Sequence, residues 1–389
     1  MDKELDIFIK SVKMCIENDM AWLVAWEDND LYSYNMQTKQ CEYLVSLPEN
    51  ETHPICVKYQ NDVYCLPDKG NEIIIYNLVS KKKESILVNN PNKERLLMMN
   101  YCREGDRLWT IARGTKQVIE INLSKRKIEK YYSIFDRNEE RIGQQITKIG
   151  NYIYCPSRTS NRICEFCITT GKSRYYEIDE MDGGINTIFF DGFFFWLSGC
   201  RKRICIWKKE ENYVKTLGRF PKGFIINGIE KAEHVFGMPI FCDSAGTEEY
   251  VWFFPANFVE TRCNSIIYVN KKNYSIGIFE WNRNSREGDC FLEYVLNERY
   301  IAVCYPDEYC ITEIDADSMK ANKKRMTSSI NMINTALKDK LEHRESINEN
   351  GTFKLSFFLN TLCTNMQGKN PELHNNMEKA IWDESKKGK

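Results

Sequence analysis

Short apolar stretches separated by polar turns run through most of the chain, and their spacing repeats. A tight turn, an aromatic strand and a second strand return roughly every 43 residues. The turns are Asn18-Asp19, Asn61-Asp62, Gly105-Asp106, Gly150-Asn151 and Asp191-Gly192. The second strand closes on variants of Asn-Leu-x-Ser/Thr-Lys: Asn35-Met36-Gln37-Thr38-Lys39, Asn77-Leu78-Val79-Ser80-Lys81, Asn122-Leu123-Ser124-Lys125 and Cys167-Ile168-Thr169-Thr170-Gly171-Lys172. Each repeat predicts two hairpins in series, with β-branched and aromatic residues on the strands. Several strands are apolar on both faces, as in Tyr152-Ile153-Tyr154-Cys155 and Ile73-Ile74-Ile75-Tyr76. That fits a sheet sandwiched between two neighbours.

A four-stranded unit of this length, repeated head to tail, predicts an all-β fold, the β-propeller. The blades span 7–48, 52–88, 96–134, 141–178 and 183–221, the first with strands at 9–14, 20–26, 31–35 and 42–46. The pattern then loosens. Residues 224–281 read as a sixth blade with an insertion between its strands at 250–254 and 265–269, and strands at 290–295, 299–305 and 309–314 read as a seventh. Seven blades are expected, with six and eight as the alternatives. Residues 1–328 form the propeller, and 329–389 change to helical spacing as a C-terminal tail. Ile330, Ile333, Leu337 and Leu341 mark one amphipathic segment, and Phe353, Leu355, Phe357, Phe358, Leu359 and Leu362 a denser apolar one. A third opens at Asn370-Pro371-Glu372 and carries Met377, Ile381 and Trp382.

The strand–turn–strand closing on Asn-Leu-x-Ser-Lys resembles the bacterial propellers of the kelch, NHL and PQQ-repeat kind. Those often carry an Asp-x-x-Thr-Gly-Lys turn at this place, and Thr169-Thr170-Gly171-Lys172 is similar to it. Arg203-Ile204-Cys205-Ile206-Trp207-Lys208, followed by Val214-Lys215-Thr216-Leu217, is similar to a WD-repeat strand pair. The Gly-His and Trp-Asp dipeptides of that family are absent from these blades. The resemblance covers residues 7–320 and implies a fold and a preference for binding roles. It carries over no functional residue.

Charge narrows the partners. The chain holds 54 Lys+Arg against 55 Asp+Glu, a net charge of −1, which removes any global argument for nucleic acid or an anionic membrane. Sixteen cysteines suggest a disulfide scaffold at first sight. The opening residues Met1-Asp2-Lys3-Glu4-Leu5-Asp6 hold no apolar signal core, and no apolar run has membrane-spanning length. A cytoplasmic monomer without membrane insertion is therefore expected, its cysteines reduced and packed as small hydrophobes. Without an export signal, the glycosylation acceptor pattern at Asn350-Gly351-Thr352 carries no meaning.

Motifs that bring reaction chemistry are missing. Cys164 and Cys167 form a Cys-x-x-Cys, but on a strand an offset of three puts them on opposite faces, so packed thiols are expected rather than a metal site. The four histidines are scattered, with His53 and His234 in the propeller and His343 and His374 in the tail. There is no Asp box, no Gly-x-Ser-x-Gly elbow, no Walker loop and no dinucleotide fingerprint. No catalytic residue, metal ligand or cofactor is assigned.

The loops between second and third strands say more. They share one face with the connections that enter each blade, and in four successive blades they are cationic: Asp68-Lys69-Gly70, Arg113-Gly114-Thr115-Lys116, Arg158-Thr159-Ser160-Asn161-Arg162 and Gly199-Cys200-Arg201-Lys202-Arg203. The matching loops of the first and seventh blades are acidic, at Glu27-Asp28-Asn29-Asp30 and Asp307-Glu308. The expectation is a basic arc over blades two to five that holds carboxylate or phosphate groups. Its ligand-binding residues are Lys69, Arg113, Lys116, Arg158, Arg162 and Arg201, with Trp26 exposed near the mouth. The first reading is a non-catalytic binding or scaffold propeller for a protein or an anionic small molecule or glycan. The alternative is an enzyme of lyase, hydrolase or lactonase type acting on an acidic sugar in the central channel, with Arg113, Arg158 and Arg201 orienting it. A surface or envelope protein linked to glycan assembly is a third.

Overall fold

The computed structural model describes residues 4–329 except 8–10, 12, 26–28, 49, 92–93, 136, 138–139, 200–202, 219, 225, 228–239, 256–261, 264, 280–290, 305–310 and 325. The predicted helical tail lies outside the described residues. Seven sheets of four antiparallel strands each are built from consecutive segments. They are Cys15–Glu17, Met20–Val24, Asp30–Asn35 and Cys41–Ser46 for blade 1, and Ile55–Tyr59, Asp62–Leu66, Glu72–Asn77 and Lys83–Leu87 for blade 2. Blade 3 is Tyr101–Glu104, Arg107–Ala112, Gln117–Asn122 and Lys127–Ser133, and blade 4 is Thr147–Ile149, Tyr152–Pro156, Arg162–Cys167 and Ser173–Glu177. Blade 5 is Ile185–Phe190, Phe195–Gly199, Ile204–Lys208 and Tyr213–Thr216, and blade 6 is Phe241–Gly246, Tyr250–Pro255, Ile266–Asn270 and Ile276–Phe279. Blade 7 is Phe291–Leu296, Tyr300–Cys304, Ile311–Asp315 and Lys320–Lys324.

Period-two alternation explains the ring. In blade 1, Ala21 and Leu23 pack against Ala302 and Ile311 of blade 7, while Trp22 and Val24 pack against Cys56, Val63 and Cys65 of blade 2. The buried apolar residues divide into seven clusters, each shared by two successive blades, with the last joining blade 7 to blade 1. Every blade therefore buries both faces, which accounts for strands apolar on both sides. The ring is a seven-bladed β-propeller.

Two local features differ from the sequence reading. The innermost strand of blade 1 is the short Cys15–Glu17 rather than 9–14, and Lys13 instead bridges to Ile55 of blade 2. Blade 7 gains Lys320–Lys324 as its outermost strand, a polar segment with no apolar face to announce it. Outside the blades, Glu4–Ile7 pairs antiparallel with Met326–Ser329. Among the described residues no helix is long and apolar enough to cross a membrane.

The repeated Asn-x-x-Ser/Thr-Lys has a mechanical meaning. Asn35 Oδ1 accepts from the backbone N–H of Gln37 at 3.0 Å and of Thr38 at 2.9 Å, and Asn77 does the same for Val79 and Ser80. Lys39 and Lys81 then take left-handed backbone, φ 63° and 58°, and their N–H groups return to the Asn carbonyls. The motif is a side-chain-capped turn between third and fourth strands.

Candidate functional site

The order of strands gives the ring two unlike ends. The second-to-third-strand loops share one end, the entry face, with the connections between blades. The other end, the turn face, carries the remaining hairpin turns.

On the entry face the blade 2 loop is held by its own anion. Asp68 is buried and takes Arg95 bidentately, Nε reaching Oδ1 at 3.0 Å. Lys69 beside it is exposed, its backbone paired with Thr52. Gly70 lies at φ 117°, and a Cβ there would meet the Glu51 carboxyl at 2.2 Å, so this turn needs glycine. In blade 3, Gly114 comes so close to Arg95 that a Cβ would stand 1.9 Å from the Arg95 carbonyl. That contact fixes Arg113, which is half-buried and donates from Nε to Ile142 O at 3.3 Å. Burial, then Arg158, then Arg95 pull the Arg113 guanidinium down to about 10, against Asp68. Lys116, in left-handed backbone, lines a groove of about 450 Å³ with Asn90, Glu94 and Tyr131.

In blade 4, Arg158 is half-buried, and its carbonyl presses on Gly184, where a Cβ would stand 1.9 Å away. Arg162 lies deeper. Its Nη1 donates to Glu140 Oε2 at 2.8 Å with both side chains buried, and its guanidinium stacks 4.1 Å from the Tyr175 ring centre. Ser160 Oγ completes the Glu140 carboxylate at 2.8 Å. In blade 5, Arg203 pairs with Asp182 at 2.6 Å. Arg201 and Trp26 lie outside the described residues, as do Glu27, Asp28, Asp307 and Glu308 of the expected acidic arc. The Arg158 charge thus acts on Arg113, Lys69 stays exposed, Lys116 lines the neighbouring groove, and Arg162 is engaged with Glu140.

The groups that engage these loops were missed in the sequence. Arg95, Glu140 and Asp182 all come from connections between blades. Their presence on this face follows from the strand order, but which loop residue each one meets does not.

The central opening holds a second group. Lys13, entering blade 1, places its ammonium 5.7 Å from the Tyr101 ring centre of blade 3. Asp243, on the innermost strand of blade 6, is enclosed by the ring while remaining half-exposed to water. Burial raises its carboxyl, opposed by Lys13 and by the Ser244 N–H at 2.9 Å. Beside it, Gln145 reaches past blade 5 to bond Ser244 twice, each at 2.5 Å.

His53 is a packing residue. Its Nε2–H donates to Glu72 O at 2.9 Å while Nδ1 accepts from Asn29 Nδ2 at 3.3 Å. Glu51 Oε2 also stands 3.4 Å from Nε2, yet burial holds the ring neutral, its pKa lowered to about 4. His234, His343 and His374 lie outside the described residues. No group of three potential metal ligands occurs among the described residues. The Cys-x-x-Cys splits across the sheet: Cys164 is buried, donating to Ile134 O at 3.3 Å. Cys167 is not packed as expected but ends the strand where the turn begins, half-exposed, 3.1 Å from Thr169 Oγ1.

No protein-family model and no curated protein matches the chain. Solved structures do. One is a chain from the mitotic checkpoint complex, with TM-score 0.57 and 9% identity over 79% of this chain and 89% of that one. A virginiamycin B lyase from Staphylococcus aureus gives 0.55 and 12% over 79% and 97%. BamB from Moraxella catarrhalis gives 0.52 and 11% over 78% and 83%. At these identities the likeness is one of fold.

Proposed function

We propose that this propeller is a binding module that uses its entry face to hold a protein or small-molecule ligand through an anionic group. The observation that supports it most is the Arg113–Arg158 pair. Both guanidiniums are half-buried, and burial first, then repulsion from the Arg158 charge, lower Arg113 to about 10, with Asp68 opposing. An anion bridging them would relieve that repulsion and gain charge-assisted hydrogen bonds. Lys69 and Lys116, on the neighbouring loops, add positive charge to this face. Solved propellers of similar shape include one from a protein complex and a lyase, so the fold itself is compatible with either role.

The test is thermal denaturation of the full chain with citrate, glucuronate and inorganic phosphate. A ligand at a hundredfold excess over its Kd stabilises by about 2.7 kcal/mol. The expected result is stabilisation by at least one of these anions, abolished in Arg113→Glu/Arg158→Glu while the unliganded protein still melts cooperatively. Equal stabilisation of the double variant would overturn the assignment.

A second reading, an enzyme acting in the channel, draws on Asp243. A carboxyl raised by burial beside a lysine is a candidate general acid. Its test is turnover of uronate-containing oligosaccharides, lost in Asp243→Asn.

A further inference from the structure

On the turn face, blades 3 and 4 leave an open cavity of about 340 Å³, lined among others by Glu104, Arg107, Trp109, Glu120, Lys130 and Thr169. Trp109 forms part of its wall and is 2% exposed, yet its indole N–H meets no acceptor among the described residues. The corresponding tryptophans of blades 5 and 6 are satisfied from within. Trp196 Nε1 donates to Asp191 Oδ2 at 2.7 Å and Trp252 Nε1 to Thr247 Oγ1 at 3.1 Å, in each case to a residue five positions upstream. In blade 3 that upstream position is Glu104. Its carboxylate turns outward, 66% exposed, and takes Lys148 Nζ at 2.9 Å instead. A buried N–H left without a partner is destabilising, so this donor is poised to receive one.

The charges around the cavity define what would fit. Arg107 Nη1 binds Glu120 Oε1 at 2.8 Å, and Tyr132 OH donates to Glu120 Oε2 at 2.8 Å. Lys148 is taken by Glu104 and stands over the Trp109 ring. Lys130 is exposed, 6.0 Å from the Tyr132 ring centre, and forms no ion pair among the described residues. Among the lining residues Arg107 and Lys130 stand against Glu104 and Glu120, and Lys148, behind them on Glu104, brings one further positive charge. One uncompensated charge and one open buried donor suit a singly charged carboxylate. A phosphate dianion would set its second charge against Glu104 and Glu120. The volume falls within the range of about 300–1,000 Å³ common for small-molecule sites.

We propose that this cavity is a carboxylate-binding site, separate from the entry face, in which the Trp109 indole N–H and the Lys130 ammonium hold the carboxylate of a small organic acid or of a peptide C-terminus. The test uses the full chain with ¹⁵N-labelled indoles, the Trp109 cross-peak being the one lost in Trp109→Phe. Titration is with N-acetylglycine, with N-acetyl-trialanyl-glycine as free acid, and with N-acetylglycinamide as the uncharged control. The expected result is a saturable downfield shift of the Trp109 indole proton with the acids and none with the amide. Lys130→Met should weaken binding at least fivefold, and Arg113→Glu/Arg158→Glu should leave it unchanged. Tighter binding of the peptide identifies a chain terminus, and equal binding a small acid. Lys130 lies on the exposed outermost strand, so its variant also allows calorimetry if Trp109→Phe does not fold. No response to either acid at 50 mM, an equal response to the amide, or undiminished affinity in Lys130→Met would overturn the proposal.

Discussion

Cys167 shows how one residue can change what a repeated turn does. In blades 1, 2, 3 and 6 the corresponding position is an Asn whose oxygen receives backbone N–H groups from the turn. Blade 4 puts a sulfur there. The Thr169 and Thr170 side chains and their N–H groups favour its thiolate and lower its pKa from 9.0 to about 7. We expect iodoacetamide to label Cys167 at pH 7 well ahead of Cys41, Cys65 and Cys155, whose thiols burial pushes up. Peptide mapping after brief labelling checks this, and Cys167→Asn should remove the fast site without lowering the melting temperature. His53 yields a pH prediction of opposite origin. Its pKa is 6.5 in an open chain and about 4 in the fold, lowered by burial. Between those values the unfolded chain binds a proton that the native one does not. Stability should therefore fall as pH drops from 6.5 towards 4, with this residue's share approaching about 1.4 kcal/mol per pH unit. Urea midpoints across that range should decline less steeply in His53→Gln. The turn motif was legible in the sequence because its Asn and Lys recur. The lowered pKa of Cys167 was not, since it needs the Thr169 and Thr170 hydroxyls and N–H groups that the turn collects around the sulfur.

At the scale of elements, the connections between blades do more than join sheets. The segment carrying Glu140 returns across blade 4 to meet Arg162, and both charges are removed from water. Deleting one member of such a pair costs about 3–5 kcal/mol, because its partner stays buried and charged. Glu140→Ala should lose stability on that scale in chemical denaturation, and adding Arg162→Met should recover much of it. If the double variant is no better than the single one, the pair acts through Ser160 and Tyr175 instead. The same principle marks the limit of the sequence reading of this face. The cationic loops were visible as runs of Lys and Arg, while the charges that engage them lie more than twenty residues away, Arg95 on Asp68 and Glu140 on Arg162 among them. Blade 7 repeats the lesson for strands. Lys-Ala-Asn-Lys-Lys at 320–324 has no apolar alternation, and it is a strand because Ile311–Asp315 offers it an unpaired edge.

For the whole molecule, the blade count follows from face matching. Seven apolar interfaces close on themselves only because blade 7 presents Ala302 and Ile311 to Leu23 and Tyr34 of blade 1. The spacing along the chain showed the repeat, but closure depends on the two most distant blades meeting. Among the described residues no blade borrows a strand from the far end of the chain, since Glu4–Ile7 and Met326–Ser329 pair outside all seven blades. Removing residues 1–10 should therefore leave a folded propeller with native far-ultraviolet circular dichroism. Loss of that short pairing should lower stability by about 2 kcal/mol. Failure to fold would show instead that the terminal pair is required for closure.

That arrangement bears on how such a chain can change. Because every blade is made from one stretch of sequence, a duplication or excision of a whole repeat would break no blade. It would only ask two unfamiliar blade faces to fit, and the terminal clasp would close over the new ring as it does over this one.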